Sequence, residues 1–284
     1  MHHPLVTIGM PIFNESKFIE DSLKSILAQE YPNLKIFIYD NASTDNTFEK
    51  CQALVKQDPR VILARHDSNL GSGANFIYTL NSAPKETTYF MWASGHDLWE
   101  PNYISECVNT LENHPHASIA YGTSHWVDES GALFDREYGW IDTRGLRPIA
   151  RFFTILWSNM NPILGLIRYE YLNKIEFEHF YVGYDLIVLS KLGLSGDFIH
   201  NTKTGWSRRE FRGNQSHSKK IKRYKSPEYK LSGSYLDKYF PLLKLPIELA
   251  KTIIYSDLSY LEKTFSLIGL LGTMPIRYIN GKKQ

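Results

Sequence analysis

Over the first hundred residues, short runs of β-branched and aromatic residues alternate with helical apolar patterns, and this alternation restricts the fold more than composition does. The runs are Leu5 to Gly9, Lys35 to Tyr39, Val61 to Ala64 and Thr88 to Trp92. They are largely apolar, as strands buried on both faces are. Phe18, Ile19, Leu23, Ile26 and Leu27 give the first helix an apolar face, with Ser16 as its expected cap. Phe48, Cys51, Leu54 and Val55 mark a second helix, and Asn69 to Leu80 holds a loop and a third. Strands and helices alternating through short connections predict a mostly parallel sheet with right-handed crossovers, flanked by helices.

The fourth run is the most informative. Thr88 to Trp92 passes at once into Ser94-Gly95-His96-Asp97, and Pro101 then suits the first turn of a helix carrying Ile104, Cys107, Val108 and Leu111. A carboxylate at the carboxyl end of a buried strand lies where open α/β sheets bind ligands. Asp97 read alone is equally a turn residue. Two further clusters follow strands in the same way: Pro11-Ile12-Phe13-Asn14-Glu15, and Asp40-Asn41-Ala42-Ser43-Thr44-Asp45. Together the three are expected to line one crevice. Phe13 offers a stacking face for a base, Asp40 an acceptor for a base or ribose, and Asp97 a ligand for a divalent cation. Gly71-Ser72-Gly73-Ala74-Asn75-Phe76 opens like a dinucleotide fingerprint, but Phe76 stands where the third glycine belongs. Gly71 and Gly73 are therefore read as loop glycines that permit close approach of the backbone.

Beyond Trp99 the rhythm changes. Ser118 to Val127 and Ala132 to Phe134 read as a strand and its return about the turn Asp128 to Gly131. Leu146 to Trp157 reads as a helix, Ile163 to Arg168 as a strand, a further helix begins at Asp185, and Phe198-Ile199 is a short strand. Arg208 to Lys225 is basic and reads as a mobile loop. From Ser234 on, Leu- and Tyr-rich helical patterns broken at Pro241 and Pro246 form a helical appendage.

With 284 residues, 43% of them hydrophobic, the chain can bury one large core and a small addition. A net charge of +2 gives no reason to expect a nucleic-acid partner. Cys51 and Cys107 fall on apolar helical positions and read as core thiols of a reducing compartment. No signal peptide or membrane-crossing run is legible, so the expected location is cytoplasmic, with peripheral contact at the inner face of the membrane in view. Leu261 to Ile276 is apolar enough for an interfacial helix but too short to span; it is expected to pack on the main domain or form a homodimer through the C-terminal helices.

Pro11 to Glu15, Asp40 to Asp45, Asn69-Leu70-Gly71 and Trp92 to Trp99, followed by Gly165, Arg168 and Gly183-Tyr184-Asp185, resemble family 2 glycosyltransferases in content and order. The closest likeness is to bacterial members that build surface polysaccharides. The resemblance implies a GT-A (Rossmann-like) α/β fold over residues 1–216, with 217–284 as the basic loop and helical appendage. It implies transfer of a sugar from a nucleotide diphosphate, UDP above all, to a glycan or lipid-linked acceptor. Pro11, Phe13, Asn14, Glu15, Asp40, Asn41, Asn69, Gly71, Asn75 and His96 would then hold the donor nucleotide. Asp97 would bind the metal, and Asp185 would be the base of an inverting reaction. Trp99, Gly165, Arg168 and Tyr184 would shape the acceptor and sugar pocket, with Arg208, Arg209 and Arg212 at the diphosphate. A carboxylate beside an acceptor hydroxyl can take its proton during attack, although Asp185 also reads as a helix N-cap.

The sequence departs from its relatives at the metal. His96 stands where a second carboxylate is usual, and Phe211 follows Arg208-Arg209-Glu210 where a histidine often completes the metal shell. Asp97 would then be helped by His96 or His217, with Mn²⁺ or Mg²⁺ as the ion. Two other readings compete, and only the first stays open. One is a catalytically silent nucleotide-sugar binding protein. The other, a nucleotidyltransferase, lacks the Gly-rich phosphate loop expected after the first strand.

Overall fold

The computed structural model describes residues 3–56, 58–134, 139–176, 183–210 and 244–281. Its first half follows the alternation expected: β1 (Val6–Ile12), α1 (Ile19–Leu27), β2 (Leu34–Asp40), α2 (Thr47–Val55), β3 (Val61–Arg65), α3 (Ser72–Asn81) and β4 (Tyr89–Trp92). β1 to β4 are mutually parallel, with Ile12 opposite Asp40 and Gly9 opposite Trp92. Every residue of β4 is buried, which accounts for its unbroken apolar run.

Two elements then change direction. β5 (Leu98–Trp99) is a short antiparallel strand, and α4 (Tyr103–Asn113) buries Ile104, Cys107, Val108 and Leu111 as the helical spacing requires. β6 (Ala117–Val127) is followed by α5 (Pro148–Trp157), β7 (Leu166–Arg168), α6 (Tyr169–Leu172), α7 (Tyr184–Ser195) and β8 (Asp197–Arg209). The sheet order is β3-β2-β1-β4-β7-β6-β8-β5, with β7 and β5 antiparallel to their neighbours. This is the mixed, mostly parallel sheet expected.

Several local expectations are corrected. α1 begins at Ile19 with Phe18 at the cap and no side-chain cap hydrogen bond, because a turn intervenes in which the amides of Phe18 and Ile19 both donate to the Glu15 carbonyl. Ile163 lies in a 3₁₀ turn, Asn161–Leu164, so the strand after it starts only at Leu166. Ala132 to Phe134 returns beside β6 through one bridge, Val127 to Leu133, rather than a strand. The largest revision is β8, which runs for 13 residues and carries Arg208 and Arg209 in its last two positions. A bulge lies within it: Gly122 faces Asn201 but Thr123 faces Gly205. This stretch is pinned to the segment leading into α4, Thr204 Oγ1 donating to Asn102 Oδ1 and the Gly205 amide to Glu100 Oε2, each at 2.9 Å.

The appendage consists of α8 (Lys244–Ile254), which includes Pro246, and α9 (Tyr260–Gly281). α8 packs on α7 and α9 on α5, with Leu249, Ile253 and Leu270 joining the main core. Both cysteines are free and buried, and burial pushes the Cys51 thiol up to about 12. Among the described residues no helix is long and apolar enough to cross a membrane.

Candidate active site

The strand order reverses between β1 and β4, and the loops leaving β1, β2 and β4 meet there. Their contacts are backbone-to-side-chain hydrogen bonds. The Asn14 amide donates to Ser43 Oγ at 2.9 Å, the Glu15 amide to Thr47 Oγ1 at 2.8 Å, and the Thr44 amide to Asn14 Oδ1 at 2.8 Å. Ser22 Oγ reaches the Ser94 carbonyl and ties in the β4 loop. Asn14 and Ala42 both adopt left-handed backbone, with φ of 53° and 58°. Asparagine tolerates this; alanine does so at a cost of about 1 kcal/mol. Strain held in two facing loops fits a site that demands a fixed shape.

Asp40 is fully buried at the end of β2. It accepts from the Ser43 amide at 3.0 Å and from Ser43 Oγ, and Arg65 Nε lies 3.3 Å away. Phe13, half-buried, follows Ile12, the residue opposite Asp40. Asn69, Asn41 and the amides of Leu70 and Gly71 form one hydrogen-bonded group, with Gly71 at φ 93° entering α3. Asn75 is buried and locked between the Tyr39 carbonyl and His66.

On the other side Gly95 lets the β4 loop pass against Glu15, where an added Cβ would come within 2.8 Å of the Glu15 side chain. His96 Nδ1 sits 3.0 Å from Glu15 Oε1, and its Nε2 lies 4.0 Å from Asp97 Oδ1. With Nδ1–H directed at the carboxylate, the Nε2 lone pair is turned toward Asp97. Asp97 is 1% exposed and accepts the Arg209 amide through Oδ1 at 2.9 Å; its second oxygen takes no hydrogen bond among the described residues. Arg209 stacks on Phe18, 4.5 Å from the ring centre, and its Nε is buried without a partner among the described residues.

Asp185 lies in the first turn of α7, behind Gly183, which caps the helix in left-handed backbone at φ 85°. The carboxylate is therefore not the N-cap. It makes no hydrogen bond among the described residues. Desolvation raises its pKa, and the charge of Arg208 acts in the opposite direction. Arg208 is itself held over Trp126, 4.6 Å from the ring centre, and donates to Asn161 Oδ1. The end of β8 thus bears on both acids: the Arg209 amide bonds Asp97, and the charge of Arg208 partly offsets the desolvation of Asp185.

The family model described as Glycosyl transferase family 2 matches residues 7–174, more than half of the chain. The chain belongs to that family. A glycosyltransferase of Rickettsia felis is 33% identical over 130 residues, 45% of this chain and 21% of its own. The hyaluronan synthase of Pasteurella multocida is 26% identical over 213 residues, 72% of this chain and 20% of its own. The family 2 chain thus spans about a fifth of the length of these relatives. Among solved structures, residues 1–349 of TarS from S. aureus, in complex with UDP-GlcNAc, align over 94% of this chain and 71% of that one, with a TM-score of 0.68 and 16% identity. That likeness is one of fold.

Not every residue expected in this glycosyltransferase's site reaches the crevice. Arg168 pairs in register with Tyr89, at the opposite end of β4 from Asp97, where it donates to the carbonyls of Ala117 and Leu111. Trp99 is buried at 3% exposure opposite Trp206. Gly165 packs against β6, where a Cβ would meet Tyr121 at 2.8 Å. These three serve packing. Tyr184 is buried beside Asp185. Arg212 and His217 lie outside the described residues. Sequence reasoning missed Arg65, Phe18, Trp126 and Asn161. None belongs to a motif, and each is recognisable only through the partner that the fold brings to it.

The residues present fit a divalent ion only in part. Among the described residues no group of three or more ligating side chains is assembled. Asp97 and the Nε2 of His96 supply two positions, and a diphosphate would supply others.

Proposed function

We propose that this chain transfers a sugar, with inversion, from a nucleotide-diphosphate donor, UDP being the favoured carrier, to a hydroxyl of a glycan or lipid-linked acceptor in polysaccharide synthesis. The observation that carries the reading is the meeting of the loops after β1, β2 and β4 at the strand-order reversal, where Asp97 is buried and held by the Arg209 amide at the end of β8. Phe13 stacks on the base, with Asp40 and the Asn69 group beside it. Arg208 and Arg209 face the diphosphate. The UDP-GlcNAc complex of TarS and the synthase relatives support a nucleotide-sugar donor and a polysaccharide product.

Asp185 takes the acceptor proton as the hydroxyl oxygen attacks the anomeric carbon. The bond from that carbon to the diphosphate oxygen breaks on the opposite face, and the nucleoside diphosphate leaves with the bonding electrons. The raised pKa makes Asp185 a stronger base than an ordinary carboxylate. A Mn²⁺ or Mg²⁺ ion held by Asp97 and His96 would neutralise charge on the leaving diphosphate. Glu15 keeps His96 in the tautomer that such an ion needs.

The test is a panel of nucleotide diphosphates and their sugars, read by thermal shift and by donor hydrolysis, with and without Mn²⁺. Stabilisation by a uridine ligand that weakens by roughly 1–3 kcal/mol in Phe13→Ala is the expected result. No shift with any nucleotide diphosphate would remove the donor site. Binding without hydrolysis or transfer to any acceptor would favour the silent nucleotide-sugar binder.

A further inference from the structure

The helix α9 is turned outside in. Every exposed position from Tyr260 to Ile276 is uncharged. Tyr260, Leu261, Phe265, Ile268, Leu271 and Ile276 are between 53% and 84% exposed. The only polar member of the exposed set is Thr264. At 3.6 residues per turn this set covers about 160° of the helix, far wider than a two-position coiled-coil seam. The helix's charges lie elsewhere: Glu262 bonds Ser259 at the N-terminus, Lys263 is half-buried, and Arg277 donates to the Leu156 carbonyl from a burial that lowers its pKa. Tyr255, just after α8, and Trp157 at the end of α5 add exposed aromatic surface, at 83% and 44%. An apolar face of this breadth, aromatic at its edges, is an interaction surface.

Charge identifies the partner. Residues 244–284 carry six basic side chains against three acidic ones, with Lys282 and Lys283 following α9 directly in the sequence. A second copy would set like charges against each other. A bilayer with anionic headgroups would take the apolar band into its interface and attract the net positive charge of this same C-terminal segment. We propose that α9 lies in the plane of an anionic membrane surface, with Phe265, Ile268 and Leu271 in the lipid. The membrane would then hold this glycosyltransferase where lipid-linked acceptors are found, although the inference does not depend on the reaction.

Co-sedimentation of the full chain with phosphatidylglycerol-containing vesicles and with pure phosphatidylcholine vesicles tests this, with donor hydrolysis and sedimentation velocity measured alongside. The chain should pellet with the anionic vesicles, and less so at high salt. The variant Ile268→Glu with Leu271→Glu should lose that partition by about tenfold or more while keeping its far-UV spectrum and donor hydrolysis. Phe265→Glu alone should lose it in part, so the result does not hang on one variant. Equal pelleting with neutral vesicles, or partition unchanged by the substitutions, overturns the proposal. A dimer in solution that Ile268→Glu dissolves, without vesicle binding, assigns the face to a second copy instead.

Discussion

Asp40 and Asp185 are treated in opposite ways by the same fold. Asp40, at the end of β2, receives the Ser43 amide, the Ser43 hydroxyl and the Arg65 guanidinium. Asp185, in the first turn of α7, receives no hydrogen bond among the described residues and feels Arg208 at a distance. A carboxylate with its lone pairs engaged is a structural acceptor, able to share a bond with a ligand but poorly placed to take a proton. A desolvated carboxylate with open lone pairs is a base awaiting a donor. On the function proposed above, the contrast would separate binding from chemistry.

Substitutions should divide along that line. Asp185→Asn should lower transfer by roughly 10²- to 10⁴-fold while leaving the thermal shift by nucleotide intact. It should also raise the melting temperature at neutral pH. The sign follows from linkage: a carboxylate whose folded pKa is raised costs stability above that pKa, and the cost is relieved as pH falls through it. Asparagine removes the charge at every pH. Unchanged turnover would move the base elsewhere. Asp40→Asn should do the reverse, costing about 2–3 kcal/mol of stability, since its amide would face the Ser43 donor with a donor of its own. Arg65 is partly exposed, so most of that loss rests on the buried Ser43 bonds; chemical denaturation measures it. Equal losses of stability in both variants would break the comparison.

Arg208→Gln gives a finer reading. Removing the nearby cation leaves desolvation unopposed, so the acid limb of the kcat profile should move to higher pH than in the unsubstituted chain. A limb that stays in place would show that Arg208 does not act on Asp185. The smallest effect concerns the donor side. Ala42→Gly removes the left-handed strain at φ 58° and should stabilise by about 0.5 kcal/mol in denaturation experiments, the strain relieved exceeding the entropy gained by the unfolded chain; a loss of stability would show that Ala42 is not strained.

The polar clusters at the carboxyl edge of the sheet were legible because they are written in local signals. Buried strands ending in polar clusters place Phe13, Asp40 and Asp97 at one sheet edge whatever the remaining contacts are. The second half was harder to read. β8 continues past Ile199 through polar and basic residues, because its pairing partner β6, not its own apolarity, keeps it extended. Arg208 and Arg209 therefore looked like the start of a loop. Arg168 followed its family position in sequence yet serves the opposite end of the sheet, where carbonyls at the end of α4 need a donor. Glu15 and His96 stand 81 residues apart, and only Gly95 permits their contact.

The bulge in β8 separates two stretches of strand with different registers. Before it, Asp197 to Asn201 pair with the start of β6; after it, Gly205 to Arg209 pair with Thr123 to Val127, so Arg208 stands opposite Trp126 and Arg209 opposite Val127. Successive residues on a strand face opposite sides, and the register after the bulge therefore parts the two arginine side chains, one to Trp126 and one to Phe18. Thr202, Lys203 and Thr204 lie outside that register, so a residue gained or lost among them can be absorbed without moving either arginine. A slip of the pairing by one residue beyond Gly205 would instead exchange the two faces with no change of identity at either position.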